Sequence, residues 1–392
     1  MRVLVAFDKF KDSLSAREAC ETTLHVLRER HRDWTIDLCP LSDGGEGFTE
    51  ILTSAVRGQS IVSSVTGPRG DEVQAPIGII PLEKIPASAR ALLAIPPDVR
   101  RPKMTIAVID MASASGLALL ETRDRDPWQT TSYGTGELIR TAVELGVSGV
   151  VLGVGGSATN DLGLGALAAL GLGFFTSREE PIHPPVPARW SKIARVTGGV
   201  PATLPPIRIA CDVQNPLLGP RGAAAVYGPQ KGLRPADHKR LEHETARLAL
   251  LLCHHTKQSD SLMDAPGTGA AGGISFGLMA AARAQLLPGY ELVSAWLDLE
   301  ARLAAADLVI TGEGRFDESS LEGKGPGAVA ARALALGKRV HVFAGTSSGA
   351  VRDGLTVHPI TPEGMPLTEA LMRSREFLHK HVAQAFPASA SR

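Results

Sequence analysis

One pattern recurs along this chain and restricts its fold more than any other. Short apolar runs stop abruptly in turns rich in glycine and acidic residues, and a helical stretch follows. Residues 3–7 end at Asp8, and Ser13 or Ser15 is placed to cap a helix over 16–30. Residues 35–41 end in Ser42-Asp43-Gly44-Gly45-Glu46-Gly47 before another helix. A strand over 105–110 and a helix over 135–145 come next. Residues 147–154 run into Gly155-Gly156-Ser157-Ala158-Thr159-Asn160-Asp161, with a helix expected over 164–170. Residues 207–210 end at Cys211-Asp212, and residues 308–310 end in a loop from Thr311 to Asp317. A helix over 327–336, a strand over 339–343 and a helix over 367–382 close the pattern. Strands and helices in alternation predict an α/β fold, with parallel sheets covered by helices.

The 392 residues exceed what one core usually supports, so two domains are expected. The texture changes after about residue 62. Proline-bearing stretches at 81–103 and 181–206 interrupt the middle, and the first of them reads as a surface insertion. The clean alternation returns near residue 300. The expected division is a discontinuous α/β domain from residues 1–65 and 290–392, with a second α/β domain, residues 66–289, inserted into it. The active site is expected in the cleft between them.

Composition removes several function classes. Lysine plus arginine number 41, as do aspartate plus glutamate. That neutral balance argues against nucleic acid or a membrane surface as the main partner. The four cysteines form no C-x-x-C pair and read as idle thiols of a reducing compartment. The longest apolar runs are too short to cross a bilayer. Residues 1–10 read as a strand and its following turn rather than as a signal peptide. A soluble, cytoplasmic protein is expected.

In open α/β sheets, ligands bind beyond the carboxyl ends of the strands. The residues found there are Asp8 and Lys11, Asp43 and Glu46, the Gly155–Asp161 loop, Asp212, then Glu313, Arg315 and Asp317. One acid at a strand end is commonly a helix cap. Several together point to a shared polar cleft. Backbone N–H groups in glycine-rich turns at 155–160 and 269–273, the latter including Gly272 and Gly273, suit phosphate. Lys11, Lys231 and Arg315 offer positive charge. Asp43, Asp212, Glu313 and Asp317 offer oxygen ligands to Mg²⁺ or a base. These are the parts that phosphoryl transfer needs. There is no G-x-x-x-x-G-K-[ST] phosphate loop, no H-E-x-x-H and no G-x-S-x-G, which removes several other enzyme classes.

These residues also carry a resemblance. Residues 7–16, Phe-Asp-Lys-Phe-Lys-Asp-Ser-Leu-Ser-Ala, are similar to the opening motif of the type I glycerate kinases. So are Asp43-Gly44-Gly45-Glu46-Gly47, Val65-Thr66-Gly67-Pro68, and residues 125–137 from Arg125-Asp126-Pro127 to Gly136-Glu137. Gly155 to Asp161, Cys211-Asp212-Val213-Gln214-Asn215-Pro216-Leu217, Tyr227-Gly228-Pro229-Gln230-Lys231-Gly232, Gly269 to Gly273, Ile310 to Asp317 and Gly323-Lys324 complete the match. The resemblance implies ATP-dependent, Mg²⁺-assisted phosphorylation of D-glycerate to 2- or 3-phosphoglycerate. It also implies a flavodoxin-like domain made from both ends of the chain and a middle α/β domain.

On that basis Asp43 and Asp317 are expected at the reacting centre, one as base and one on magnesium, with the assignment left open. Lys11 and Arg315 are expected to meet the glycerate carboxylate or the transferred phosphoryl group. Asp8, Arg69 and Glu313 are further substrate candidates. Gly155, Gly156, Ser157, Thr159, Asn160, Gly272, Gly273 and Lys231 are the nucleotide candidates. Asp43, Asp212 and Asp317 are the metal candidates. Lys9 stands where the family usually has serine, Phe7 where it has proline, and Asp110 where glutamate is common.

Two rival readings remain at this level. Gly153 to Ala158 matches G-x-G-x-x-A, the fingerprint of a nicotinamide-dependent dehydrogenase, with Glu179 and Glu180 near the ribose-binding distance. A non-catalytic regulator that binds a sugar acid is the other. The crowd of strand-end acids argues against it, since an anionic ligand does not favour several carboxylates without a metal.

Overall fold

The computed structural model describes residues 1–97, 103–321, 325–348 and 352–388. The chain divides into two compact units, Met1–Asp43 with Val293–Arg392, and Gly44–Leu292. Among the described residues no helix is long and apolar enough to cross a membrane.

The first unit is built on five parallel strands: β1 (Arg2–Phe7), β2 (Thr35–Leu38), β11 (Leu308–Asp317), β12 (Arg339–Ser348) and β13 (Leu355–Pro359). Their order in the sheet is β13-β12-β11-β1-β2. Counted within the unit this is 2-1-3-4-5, the flavodoxin-like order of a doubly wound sheet. β1 is buried from Val3 to Phe7, as expected of a central parallel strand covered on both faces. Helix Ala16–Arg30 begins with a capping box: Ser15 accepts from the Glu18 N–H while the Glu18 side chain accepts from Ser15. Val5, Phe7, Leu27, Ile310, Phe343 and Leu378 lie in this unit's core.

The second unit carries a six-stranded mixed sheet of β3 (Gln59–Thr66), β4 (Glu72–Pro81), β5 (Thr105–Asp110), β6 (Gly149–Gly153), β9 (Ile207–Ala210) and β10 (Gln285–Leu287). Its order is β10-β9-β6-β5-β4-β3; β3–β4 and β4–β5 are antiparallel and the other pairs parallel. A separate antiparallel pair joins β7 (Leu172–Phe175) to β8 (Arg195–Gly198).

Several expectations change. The first crossing between units falls at Asp43/Gly44 rather than near residue 65, because β3 pairs along its whole length with β4 of the mixed sheet. The stretch from Thr311 to Asp317 is strand, not loop, since β12 supplies backbone partners as far as Ser348. Residues 81–97, the described part of the expected insertion at 81–103 apart from its last residue, are more than a surface insertion. They contain helix Ala87–Leu93, which buries Ala89 and Leu93, and the Leu93 and Ala94 carbonyls accept from Arg208 at 2.7 and 3.1 Å. The 181–206 loop contains β8 and a 3-10 turn. The last helix breaks into Leu367–Met372 and Ser374–Ala385. Gly323 and Lys324 of the sequence motif lie outside the described residues.

Candidate active site

In the first unit the chain leaves β1 for β2 on one side, then returns to the other side of β1 as β11. The carboxyl ends of β1 and β11 therefore flank the topological switch point, where open α/β sheets bind ligands. Asp8 ends β1 there, its N–H donating to the Gly312 carbonyl at 3.1 Å. β1 pairs with β11 only as far as Gly312, while β11 continues beside β12 through Asp317. The two-residue period of a strand sets Glu313, Arg315 and Asp317 on one face. Phe316, on the other face, is fully buried. Arg315 Nε lies 3.2 Å from Asp317 Oδ2.

Glu313 is half-buried. Burial first, then the Asp8 charge, pushes its carboxyl up to about 7; a Ser320 hydrogen bond opposes the shift and Asp317 adds to it. Asp8 Oδ1 accepts the Lys9 N–H at 2.7 Å, and a Cβ on Gly325 would come to 3.5 Å from its Oδ2. The Lys9 ammonium reaches Asp43 Oδ1 at 2.7 Å, joining the turns after β1 and β2. Exposed Lys11 is close by: a Cβ on Gly314 would lie 3.6 Å from its backbone nitrogen. Asp8, Lys11, Asp43, Glu313, Arg315 and Asp317 thus all lie around the strand ends of this unit.

In the second unit the loop after β6 is tied down by its own backbone. Gly155 donates to Gly44 at 3.0 Å, Ala158 to Ser115 at 2.9 Å, and Leu162 to Gly272 at 3.1 Å. The Gly156 carbonyl accepts from Leu117 at 2.7 Å. Among the described residues, the N–H groups of Gly156, Ser157, Thr159 and Asn160 meet no acceptor. Thr159 Oγ1 and Asn160 Oδ1 are also buried without a partner. Unpaired buried polar groups are expensive, which makes the buried part of this loop, Ser157, Thr159 and Asn160, a candidate to meet a polar ligand.

Two glycines make its shape possible. Gly156 has φ +70°, and a Cβ there would come to 2.4 Å from Glu46 Oε1. Gly272 has φ +72°, and its Cβ would come to 2.0 Å from the Thr159 carbonyl oxygen. The turn containing Gly272 and Gly273 therefore packs directly on the loop. Lys231, only 1% exposed, donates to Ser157 Oγ at 2.8 Å and to the Thr159 carbonyl at 2.7 Å. Burial pushes its amine down to about 7, with Asp161 opposing.

Asp161 is fully buried. It accepts from the Ser132 N–H at 2.7 Å, the Ser132 hydroxyl at 2.8 Å, Gly163 at 3.1 Å and Gly165 at 3.2 Å. Burial pushes its carboxyl up and these bonds oppose that. Sequence reasoning treated Asp161 as a loop residue and overlooked Ser115 and Ser132. The hydroxyl run Thr130-Thr131-Ser132, wholly buried here, was the available signal.

Two other expected residues have hydrogen-bond partners of their own. Asp212 Oδ2 accepts the Tyr290 N–H at 2.9 Å, at the start of helix Gly289–Trp296. Arg69 is exposed and donates to the Asp124 carbonyl at 2.9 Å. Among the described residues no three His, Cys, Asp or Glu side chains gather as a metal group. Mg²⁺ in phosphoryl-transfer sites commonly takes only one or two carboxylates, with water and phosphate oxygens completing its shell. Asp8 and Asp317 fit that demand, because their combined negative charge, which raises Glu313, is what a divalent cation would offset. The dinucleotide fingerprint fails. The helix after the loop begins only at Leu164, and the Ala158 N–H is already bonded to Ser115.

Comparison with known proteins bears on the chain as a whole. The model of the glycerate kinase family matches residues 3–389. A glycerate kinase of Halalkalibacterium halodurans is 35% identical over 387 residues, covering 96% of this chain and 95% of that protein. A glycerate 2-kinase of Escherichia coli K12 is 37% identical over 348 residues, covering 88% and 85%. A crystal structure described as glycerate kinase 2 from Salmonella typhimurium LT2 is similar with a TM-score of 0.73 and 37% identity, over 98% of this chain and 97% of that one.

Proposed function

This chain belongs to the glycerate kinase family, and we propose that it transfers the terminal phosphoryl group of ATP to a hydroxyl of D-glycerate, giving ADP and 2- or 3-phosphoglycerate. The observation that most supports this reading is the position of Glu313. It is a half-buried carboxyl at the switch point of a doubly wound sheet, close enough to Asp8 and Asp317 for their charges to act on it. As general base, Glu313 takes the hydroxyl proton as the glycerate oxygen attacks phosphorus. A carboxylate is the kind of group that task needs, and its place at the strand ends sets it where ligands bind in such sheets. Arg315 offers the planar fork that a carboxylate needs, and Lys11 adds charge for the same group. Asp43, already paired with Lys9, orients the turn rather than acting as base.

Asp8 and Asp317 are the residues that would hold Mg²⁺; when bound, the ion neutralises charge on the phosphate oxygens. In the second unit, the N–H groups of Gly156, Ser157, Thr159 and Asn160 are the candidate donors to a bound phosphate, as fixed dipoles that need no rearrangement. The test is direct. The purified protein is given ATP, Mg²⁺ and D-glycerate, ADP is followed by a coupled assay, and the product is read by phosphorus NMR. Glycerate-dependent ADP release is expected, with the NMR coupling pattern reporting which hydroxyl was phosphorylated. ADP release no faster than in the absence of glycerate would sink the proposal.

A further inference from the structure

Lys231 ends a 3-10 turn, Pro229–Lys231, far in sequence from the loop it touches. Its side chain is buried and its amine donates to Ser157 Oγ at 2.8 Å and to the Thr159 carbonyl at 2.7 Å. We infer that Lys231 is a positioning residue, which fixes the phosphate loop through Ser157 and Thr159 and does not itself hold the nucleotide. The inference rests on the reading of the 156–160 loop as a phosphate cradle.

The argument turns on the planarity of the peptide bond. In a trans peptide the carbonyl and the following N–H point in opposite directions in one plane. Holding the Thr159 carbonyl towards Lys231 therefore aims the Asn160 N–H away from it. Gly272 packs on the same carbonyl and leaves that peptide little room to turn. The second bond fixes the Ser157 hydroxyl, on the other arm of the loop. One side chain thus sets both arms.

The chemistry of the amine agrees. A neutral amine has two N–H donors, and two acceptors stand within reach. Burial pushes the group down to about 7, and Asp161, the charged group that opposes this, does not restore an ordinary lysine. A lysine whose task was to bring charge to a phosphate would be better left partly hydrated, where its charge is retained. Here hydrogen-bond geometry is kept while burial weakens the hold on charge.

The test compares Lys231→Met, Lys231→Gln, Ser157→Ala and the Ser157→Ala/Lys231→Met double variant in the full-length protein. The readouts are the Kd for a non-hydrolysable ATP analogue, the KM for D-glycerate, and thermal melting as a check on folding. Lys231→Met is expected to weaken nucleotide binding by about tenfold or more, the usual consequence of stranding buried acceptors. The KM for glycerate should stay near that of the parent. Lys231→Gln keeps a donor and should recover most of the loss. The double variant should be no worse than Lys231→Met alone. If the Met variant does not fold, the Gln variant and Ser157→Ala still decide the matter.

Equal damage from Gln and Met, or losses that add fully in the double variant, would show a direct charge contact and overturn the positioning role. Parent-like affinity in the folded Lys231 variants, beside a loss in Ser157→Ala, would also overturn it while leaving the cradle intact. Parent-like affinity in all four would remove the cradle itself.

Discussion

In the first unit the candidate groups are charged side chains at strand ends, kept near water and near each other: Asp8, Glu313 and Asp317 against Lys9, Lys11 and Arg315. In the second they are backbone N–H groups in a loop whose support is buried, with Lys231 and Asp161 beneath it almost without solvent contact. The difference is one of timing. Charged groups near water can titrate and re-pair as a substrate arrives. Buried dipoles are fixed when the chain folds and change little afterwards. Acid–base work suits the first region and the cradling of a fixed anion suits the second.

The comparison can be broken in several places. The largest effect is expected from Glu313→Gln, which should lower kcat by about 10²–10⁴-fold. Its melting temperature should hold or rise, because burial and Asp8 already disfavour the charge being removed. Steady-state kinetics beside a thermal melt checks both halves, and near-parent kcat would take the base away from the first region.

Asp161→Ala should do the reverse and act on stability. It strands donors on Ser132, Gly163 and Gly165, at about 3 kcal/mol or more. Urea unfolding measures it; a loss within error would mean that the second region is not held together from below. Gly272→Ala sharpens the picture locally. A Cβ at φ +72°, driven against the Thr159 carbonyl, should raise the KM for ATP by about tenfold and leave the KM for glycerate alone.

A fourth expectation concerns pH and lies away from both sites. His341 on β12 meets His358 at 2.9 Å, and burial, then His358 and Arg339, push it down to about 4. Its neutral form is the one the fold accommodates. The stability this contributes is present above the unfolded value of 6.5 and is lost as pH falls towards 4. Melting temperatures recorded across that window should fall less steeply in His341→Gln than in the parent. The smallest effect is expected from Lys9→Ala. Its ion pair with Asp43 is partly exposed, and such pairs are worth less than about 1 kcal/mol. A larger loss of stability would mean that the first region is less adaptable than its exposure suggests.

Much of the framework was legible in local sequence. Helix Ala16–Arg30, β5 and β9 begin and end where their apolar runs and caps say they should, because strand runs and the Ser15–Glu18 box are short-range signals. The Glu-x-Arg-x-Asp spacing of residues 313–317 carried the strand period in plain view. Its glycines and charges still read as a loop, since a strand there needs β12 alongside and nothing local supplies it. The first unit boundary was misplaced for the same reason: β3 belongs with β4 through pairing, not composition.

The candidate residues divide in the same way. Sequence alone determined that acids and glycines would gather after the strands, and which loops would carry them, because strand direction fixes where loops emerge. Only the tertiary structure decided that burial and Asp8 would push the Glu313 carboxyl up, that Asp212 would accept from a helix start, and that Lys231 would lie buried under Ser157, a residue 74 positions away. Proton affinity and hydrogen-bond partnership belong to surroundings, and surroundings are assembled from parts of the chain that no local pattern connects.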